Sequence, residues 1–452
     1  EKLSPIIYQT FEEEEKAKFD PQITSDVSLF RQRSQSGSRA ERTLTGTTSS
    51  QFKFGAGVSQ SFPSGAAFSA ALGTEKDWSS LYSNLHTSRL GLTVTRALLQ
   101  GASLPANLAK VYQAKLDTQL SQYELAGFVE SLVAEVEKAY WHYALARRER
   151  EIYLASLRLA EQQLKETEER ISVGKLAEID LVAAQAEVAL RQEALISATS
   201  KAEAMRLRLL RLLNPGNERW WEVGVLLQDQ PAMPEVKLEK VEDHCALALK
   251  LRPEISQAKL AIQKGEVELV RTKNGLLPRL DFFISLGKTG YARSFGASLE
   301  ALPGRNYEVA TGWLLEWPIG NREAKARYQR ARLTRQQAQL ALENLCQLVS
   351  YDVLSAHLEV TRCFQQIPAA KATRILQEEK LRAETEKFRV GRSTPLLVAQ
   401  AQRDLLSSQI AEVEAVVNYL LSLVDLFSAE GSLSQRRGIV LEKANLSHQG
   451  KP

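Results

Sequence analysis

The sequence predicts a mainly α-helical protein with a transmembrane β part, in which long coiled-coil helical hairpins run into an antiparallel β-barrel shared between copies of the chain. Three observations predict it. Apolar positions repeat every 3.5 residues over stretches far longer than a globular helix. Other stretches alternate strictly, apolar then polar, with the two-residue period of a strand. The whole pattern then occurs twice, at an offset of 217 residues when Gly174 is aligned with Gly391.

Residues 1–20 read as a partial N-terminal helical segment, ending at Phe19-Asp20-Pro21 where a strand opens. Residues 21–98 read as strands. Phe52, Phe54, Ala56, Val58 and Phe62 hold the even positions, while Gln51, Lys53, Gly55, Gly57, Ser59 and Ser61 hold the odd ones. Leu90, Leu92 and Val94 resume the rhythm. A single strand of this kind fits an antiparallel sheet packed on a soluble core better than a barrel. Several of them, in a chain whose helices lack a globular core, favour a barrel in a membrane. The alternation over 50–73 forms an extra hairpin turning near Pro63-Ser64-Gly65, in addition to a possible strand after Pro21.

Residues 99–213 read as a helical hairpin. Its first seam runs 125, 129, 132, 136, 139, 143, 146, 150, 153, 157, 160 and 164, broken only by Arg150. Helix from about 102 to 171 would be roughly 105 Å long at 1.5 Å per residue. Val173-Gly174-Lys175 stops it, and a second seam from Leu181 to Leu212, broken only by Arg191, returns. Residues 214–278 form a linker, starting at Asn214-Pro215-Gly216, and a helical region. Residues 279–318 are strands again, with Leu280, Phe282, Ile284 and Leu286, then Val309, Thr311, Trp313, Leu315 and Trp317.

Residues 319–430 repeat the hairpin, with helix from about 321 to 389, a tip at Val390-Gly391-Arg392, and a third seam from Leu406 to Phe427. Pro368 is expected to kink or interrupt the long helix. Residues 431–452 form a C-terminal segment.

Composition narrows the function. With 58 Lys and Arg against 54 Asp and Glu, the net charge of +4 is too small to make nucleic acid the partner. Three cysteines make no disulfide framework. No apolar run reaches the roughly 18 to 20 residues of a spanning helix, so membrane residence must come from strands. The histidines His86, His142, His244, His357 and His448 show no metal-ligand spacing, phosphate loops are absent, and no nucleophile–base constellation occurs. His244-Cys245 reads as an ordinary surface or linker pair. No enzyme activity, metal or cofactor is expected.

Several fragments, in order and duplicated, carry a resemblance. They are Arg-Ile-Ser-Val-Gly-Lys at 170–175 with Asp180 and Ala184-Gln185-Ala186; Phe388-Arg389-Val390-Gly391-Arg392 with Ala401-Gln402-Arg403-Asp404; Leu251-Arg252-Pro253-Glu254; Gly275-Leu276-Leu277-Pro278; and Trp317-Pro318-Ile319-Gly320. Over nearly its whole length the chain resembles the TolC-like outer-membrane channel proteins of efflux pumps and type I secretion systems. The resemblance implies a homotrimer in bacterial outer-membrane lipid. Its helices would form a tapered α-barrel through the periplasm and would meet a membrane-fusion adaptor and an inner-membrane pump.

Physics requires association independently, because too few strands per chain leave an open edge that lipid cannot satisfy. Three copies of four strands make the family's twelve. The hairpin at 50–73 departs from that arrangement, and either joins the barrel, extends from it, or covers a periplasmic surface.

By resemblance, Val173, Gly174, Lys175, Val390, Gly391 and Arg392 form the periplasmic tips that bind the adaptor. Turn chemistry explains the glycines equally well, since a left-handed residue ends a helix and a cation caps its C-terminus. The gate candidates are Asp180, Leu396, Leu397 and Gln400. Where the family often places carboxylates past the second tip, this chain holds Leu396, Leu397 and Gln400. Asp180 either rings the axis with its copies or simply favours a helix start. The function expected is a passive conduit for small-molecule efflux. The alternatives are a type I protein-secretion conduit and, more distantly, a soluble coiled-coil scaffold.

Overall fold

The computed structural model describes residues 2–37, 44–79, 85–174, 177–216, 218–228 and 238–439. Contacts divide the chain into two compact units, Glu1–Gln122 with Gln257–Leu342, and Tyr123–Ser256 with Glu343–Pro452.

The first unit is built on one antiparallel sheet. Helix α1 (Ser4–Lys16) leads into β1 (Gln22–Gly37), β2 (Leu44–Ser61), β3 (Ala66–Ser79) and β4 (Leu85–Ala97), and the second repeat adds β5 (Arg279–Ala292) and β6 (Tyr307–Glu316). The order is β1-β2-β3-β4-β5-β6, each strand beside its sequence neighbour. The first repeat supplies four strands and the second two, a departure from four strands per copy like the one the extra hairpin at 50–73 led us to expect. The alternation at 50–73 lies inside this sheet as parts of β2 and β3, so the hairpin extends the sheet instead of standing apart from it.

Register shows why the alternation matters. Ile23 pairs with Val58, Val58 with Ala70, Ala70 with Leu92, Leu92 with Leu286, and Leu286 with Val309. Directly paired residues point to the same side of a sheet, so apolar residues from all six strands share one face. That face is open: Ile23, Leu29, Trp313 and Leu315 are 83%, 74%, 65% and 59% exposed. The opposite face carries Lys53 with Glu75 and Arg89 with Glu308 as ion pairs.

The centre of the apolar run also moves along the register, by about six residues between β1, where it spans 23–29, and β6, where it spans 309–315. At about 3.3 Å per residue and about 4.8 Å between strands, a level apolar band then requires strands tilted by about 40°. Closed transmembrane barrels have this tilt.

Below the sheet, the β2–β3 turn is tied to the loop after β4. Asn107, in α2 (Leu104–Asn107), donates its side-chain amide to the carbonyls of Pro63 and Gly101, at 2.8 and 2.7 Å. Asn274 accepts from the N–H of Gly101 at 2.9 Å. Asn321, at φ +40°, donates its side-chain amide to the Leu276 carbonyl at 3.0 Å. These amides satisfy backbone groups that would otherwise go unpaired where strands turn into helices. Another short helix, between β5 and β6 (Phe295–Glu300), packs on β4 and β5 through the Ser88–Ser298 hydroxyl contact of 2.7 Å.

The remaining helices, in chain order, are α3 (Ala109–Ser172), α4 (Glu178–Leu213), α5 (Val241–Leu251), α6 (Pro253–Asn274), α7 (the Phe295–Glu300 helix above), α8 (Arg322–Arg389), α9 (Pro395–Glu430) and α10 (Leu433–Arg436). None is long and apolar enough to cross a membrane among the described residues. In the second unit the heptad seams are buried at Ala139, Tyr143, Ala146 and Ala160 of α3, at Ala198, Ala202 and Leu209 of α4, and at Val417, Leu420, Val424 and Phe427 of α9. Tyr143 and Leu209 pack together, and Val225 and Leu227 of the linker close over them.

The two seam breaks differ. Arg150 is exposed, whereas Arg191 is buried and held by Glu187 at 2.5 Å. Of the two expectations for Pro368, interruption does not hold, because α8 runs through it as one helix of 68 residues. A proline removes one hydrogen bond, and the intact turns on either side carry the helix across it.

Candidate functional site

The candidate side chains lie where the two long helices reverse. α3 stops because Gly174 adopts φ +76°, a conformation that costs a glycine little, with its N–H on the Ile171 carbonyl at 2.9 Å. α8 stops likewise at Gly391, φ +79°. There the N–H of Gly391 reaches Phe388 at 3.1 Å and that of Arg392 reaches Lys387 at 2.8 Å, the paired closure of a Schellman turn. A Cβ on either glycine would meet nothing within 4 Å. Backbone handedness therefore selects these glycines, and the space beside them is open.

The returning helices start with acceptors. The Asp180 carboxylate accepts from the Ala177 N–H at 3.3 Å, and Thr394 Oγ1 accepts from the Leu397 N–H at 3.4 Å. For Asp180 this is the helix-start role. The second turn is also pinned from α8, because Glu384 accepts from Lys387 Nζ at 2.6 Å and from Ser393 Oγ at 2.9 Å. The Lys387 ammonium, helped by Ser393, holds the Glu384 carboxyl below the usual glutamate range. Lys380 with Asp404 at 2.7 Å and Arg374 with Glu412 at 2.5 Å join α8 to α9.

The two turns meet. The Arg170 guanidinium lies 5.2 Å from the centre of the Phe388 ring, a cation–π contact between the hairpins. A groove beside it is lined by Arg170, Val173 and Asp180 from one hairpin and by Phe388, Val390 and Leu396 from the other. Gly391 lines it too, whereas Arg392, Leu397 and Gln400 do not. Lys175 lies outside the described residues. Val173, Val390 and Leu396 are 66%, 69% and 68% exposed. Exposed apolar side chains therefore lie among cations and carboxylates at this end of the hairpins.

Two buried groups were not legible as such. His244 is not a surface or linker residue, because α5 packs it against α9 at 3% exposure with Nδ1 on the Glu430 carboxylate. Glu430 is fully buried and also accepts from Ser432 Oγ at 2.7 Å and pairs with Arg436 at 3.3 Å. Glu130 of α3 caps α10, accepting from the N–H groups of Leu433 at 2.6 Å and Ser434 at 3.1 Å. Only a fold that joins residues some 300 positions apart brings these partners together.

A family model described as outer membrane efflux protein matches residues 90–215 and 245–432. No curated protein matches the chain. Among solved structures, the outer-membrane channel OprN is 18% identical with a TM-score of 0.70, over 95% of this chain and 85% of that one. The CmeC outer-membrane channel of Campylobacter jejuni is 13% identical with a TM-score of 0.66, over 95% and 82%. The open state of the MtrE outer-membrane channel of Neisseria gonorrhoeae is 18% identical with a TM-score of 0.66, over 95% and 85%. At these identities the likeness concerns the fold.

Proposed function

The chain belongs to the family of outer membrane efflux proteins, and from that premise we propose that it serves as the passive, homotrimeric outer-membrane conduit of a tripartite pump, receiving small molecules through a periplasmic adaptor. The observation that carries this reading is the single apolar face across all six strands, bounded by the sheet edges β1 and β6. In lipid, unpaired backbone groups along those edges would each cost several kcal/mol, on the order of the cost of burying any unsatisfied amide. Copies of the chain remove that cost by pairing edge to edge, and the polar face then lines the passage.

Energy and opening come from the other components in this reading. The tips, Val173, Gly174 and Lys175 with Val390, Gly391 and Arg392, form the adaptor-docking surface. Asp180, Leu396, Leu397 and Gln400, just past them, narrow the passage in the resting state.

The test is direct. Protein extracted in mild detergent should give hollow rings with three-fold symmetry in end-on electron micrographs, and should cross-link to its adaptor through cysteines placed at the tips. A monomeric particle without a lumen would refute the conduit.

A further inference from the structure

A strand pair inserted within the first repeat has consequences for the width of the channel. The family match begins at residue 90, inside β4, so β1–β3 lie upstream of it. β2 and β3 nevertheless hydrogen-bond into the middle of the first repeat's four strands along their length, from Ser61↔Ala67 to Ser49↔Ser79. Their apolar residues, Phe52, Phe54, Ala56 and Val58 on β2 and Phe68, Ala70 and Leu72 on β3, lie on the same face as Leu90, Leu92 and Val94 of β4. Their opposite residues, Lys53 and Glu75 among them, lie on the polar face. Neither strand of the pair continues into a helix: β2 ends in the turn at Pro63, and that turn is fastened to Asn107 and to the N–H of Ala97.

A hairpin lying outside a barrel would need neither a shared apolar face nor a shared register with the wall strands. We propose that β2 and β3 are wall strands, so that each chain supplies six strands and three copies close a barrel of eighteen instead of twelve. The six-strand share follows from the sheet, while the number eighteen rests on the three-copy reading above. β1 and β6 are the edges left for pairing, and their partners are the β6 and β1 of neighbouring copies. Three copies fall within the size range of transmembrane barrels, and at that size a water-filled lumen is the norm.

With about 4.8 Å between strands and the tilt of about 40°, a twelve-strand wall has a backbone diameter of about 24 Å and an eighteen-strand wall about 36 Å. The outer opening is therefore about 1.5-fold wider while the number of strand-to-helix connections per chain is unchanged. Strand pairs have been added without adding helices.

Electron cryo-microscopy of the full chain in lipid nanodiscs tests this. A cross-section at mid-sheet should show eighteen strands, six from each copy. Twelve strands with β2 and β3 off the wall would overturn the proposal while leaving the trimer intact. Six wall strands per copy in a ring of two or four copies would uphold the share of six and overturn the three-copy reading.

A second measurement needs no image. In a background with Cys245, Cys346 and Cys363 replaced by alanine, Lys53→Cys and Ala71→Cys in reconstituted vesicles should react with a water-soluble maleimide. Phe54→Cys and Leu72→Cys should react at least tenfold more slowly. Equal rates at both pairs of positions would place the hairpin in water and sink the proposal.

Discussion

A Cβ atom on Gly65 would lie 2.2 Å from the carbonyl oxygen of Gly101, so the turn joining β2 to β3 and the loop leaving β4 touch backbone to backbone. Gly65 also adopts φ +80°, where an L side chain is strained even in open space. Gly65→Ala should therefore destabilise the sheet by about 1–3 kcal/mol through strain alone, with the overlap adding to it. Asn107→Ala, which frees the carbonyls of Pro63 and Gly101, should act in the same direction by about 1–3 kcal/mol. Thermal dissociation of the purified oligomer measures both, and unchanged dissociation of Gly65→Ala would contradict the close approach.

Gly174 and Gly391 present the opposite case, left-handed but with nothing near them. Gly174→Leu or Gly391→Leu should cost about 1–2 kcal/mol, the price of the backbone conformation. Assembly in the membrane should survive, while cross-linking to the adaptor falls. Adaptor capture at the wild-type level would remove the tips from the docking surface.

Leu396 and Leu397 are 68% and 46% exposed, so Leu396→Ser and Leu397→Ser should change stability by only about 0.5 kcal/mol. If the pair narrows the resting passage, either substitution raises the current through single channels in a planar bilayer. Wild-type conductance in both variants would locate the constriction elsewhere.

The second tip should loosen in acid. Glu384 is held below its usual range chiefly by Lys387, so it stabilises the turn fully above the ordinary glutamate range and loses that contribution as pH falls through the depressed folded value. Ser393 then loses a charged acceptor. Amide hydrogen exchange across residues 390–394, corrected for the intrinsic pH dependence, should rise on acidification in the wild type. It should be raised already at neutral pH in Glu384→Gln. A pH-independent profile in the wild type would show that the contact does not order the turn.

Glu130 caps a helix whose first residue, Leu433, is fully buried. Glu130→Ala should cost about 1–3 kcal/mol by leaving the N–H groups of Leu433 and Ser434 unmatched, and Glu130→Gln should recover part of it. Chemical denaturation of the two variants checks the order.

Periodicity made the long elements legible. Seam positions such as Ala139, Tyr143 and Val417 are buried because a 3.5-residue repeat keeps one stripe turned toward its neighbours. Strict alternation marked β2, β4, β5 and β6, since a two-residue period is hard to produce otherwise. It was weaker in β1, where Ser25 interrupts the apolar positions between Ile23 and Val27, and in the outer part of β3, where Lys76 follows Leu72 and Thr74 on the apolar side.

What periodicity cannot carry is partnership. His244 on Glu430, and Glu130 on the start of α10, join residues far apart in the chain, and no local pattern of either residue names the other. At the tips, Asp180 was equally a ring carboxylate or a helix-start residue by sequence. Its bond to the Ala177 N–H accounts for the second role.

The four-and-two division of strands between the repeats also bears on symmetry. Two similar helical hairpins per chain let a trimer approximate a six-fold arrangement of rods, with each repeat nearly equivalent to the other. In the proposed trimer no such pseudo-equivalence would survive where one repeat brings twice as many ribbons, so its outward rim would be three-fold only. Any molecule that caps, plugs or grips that rim from outside would meet three identical faces spaced a third of a turn apart.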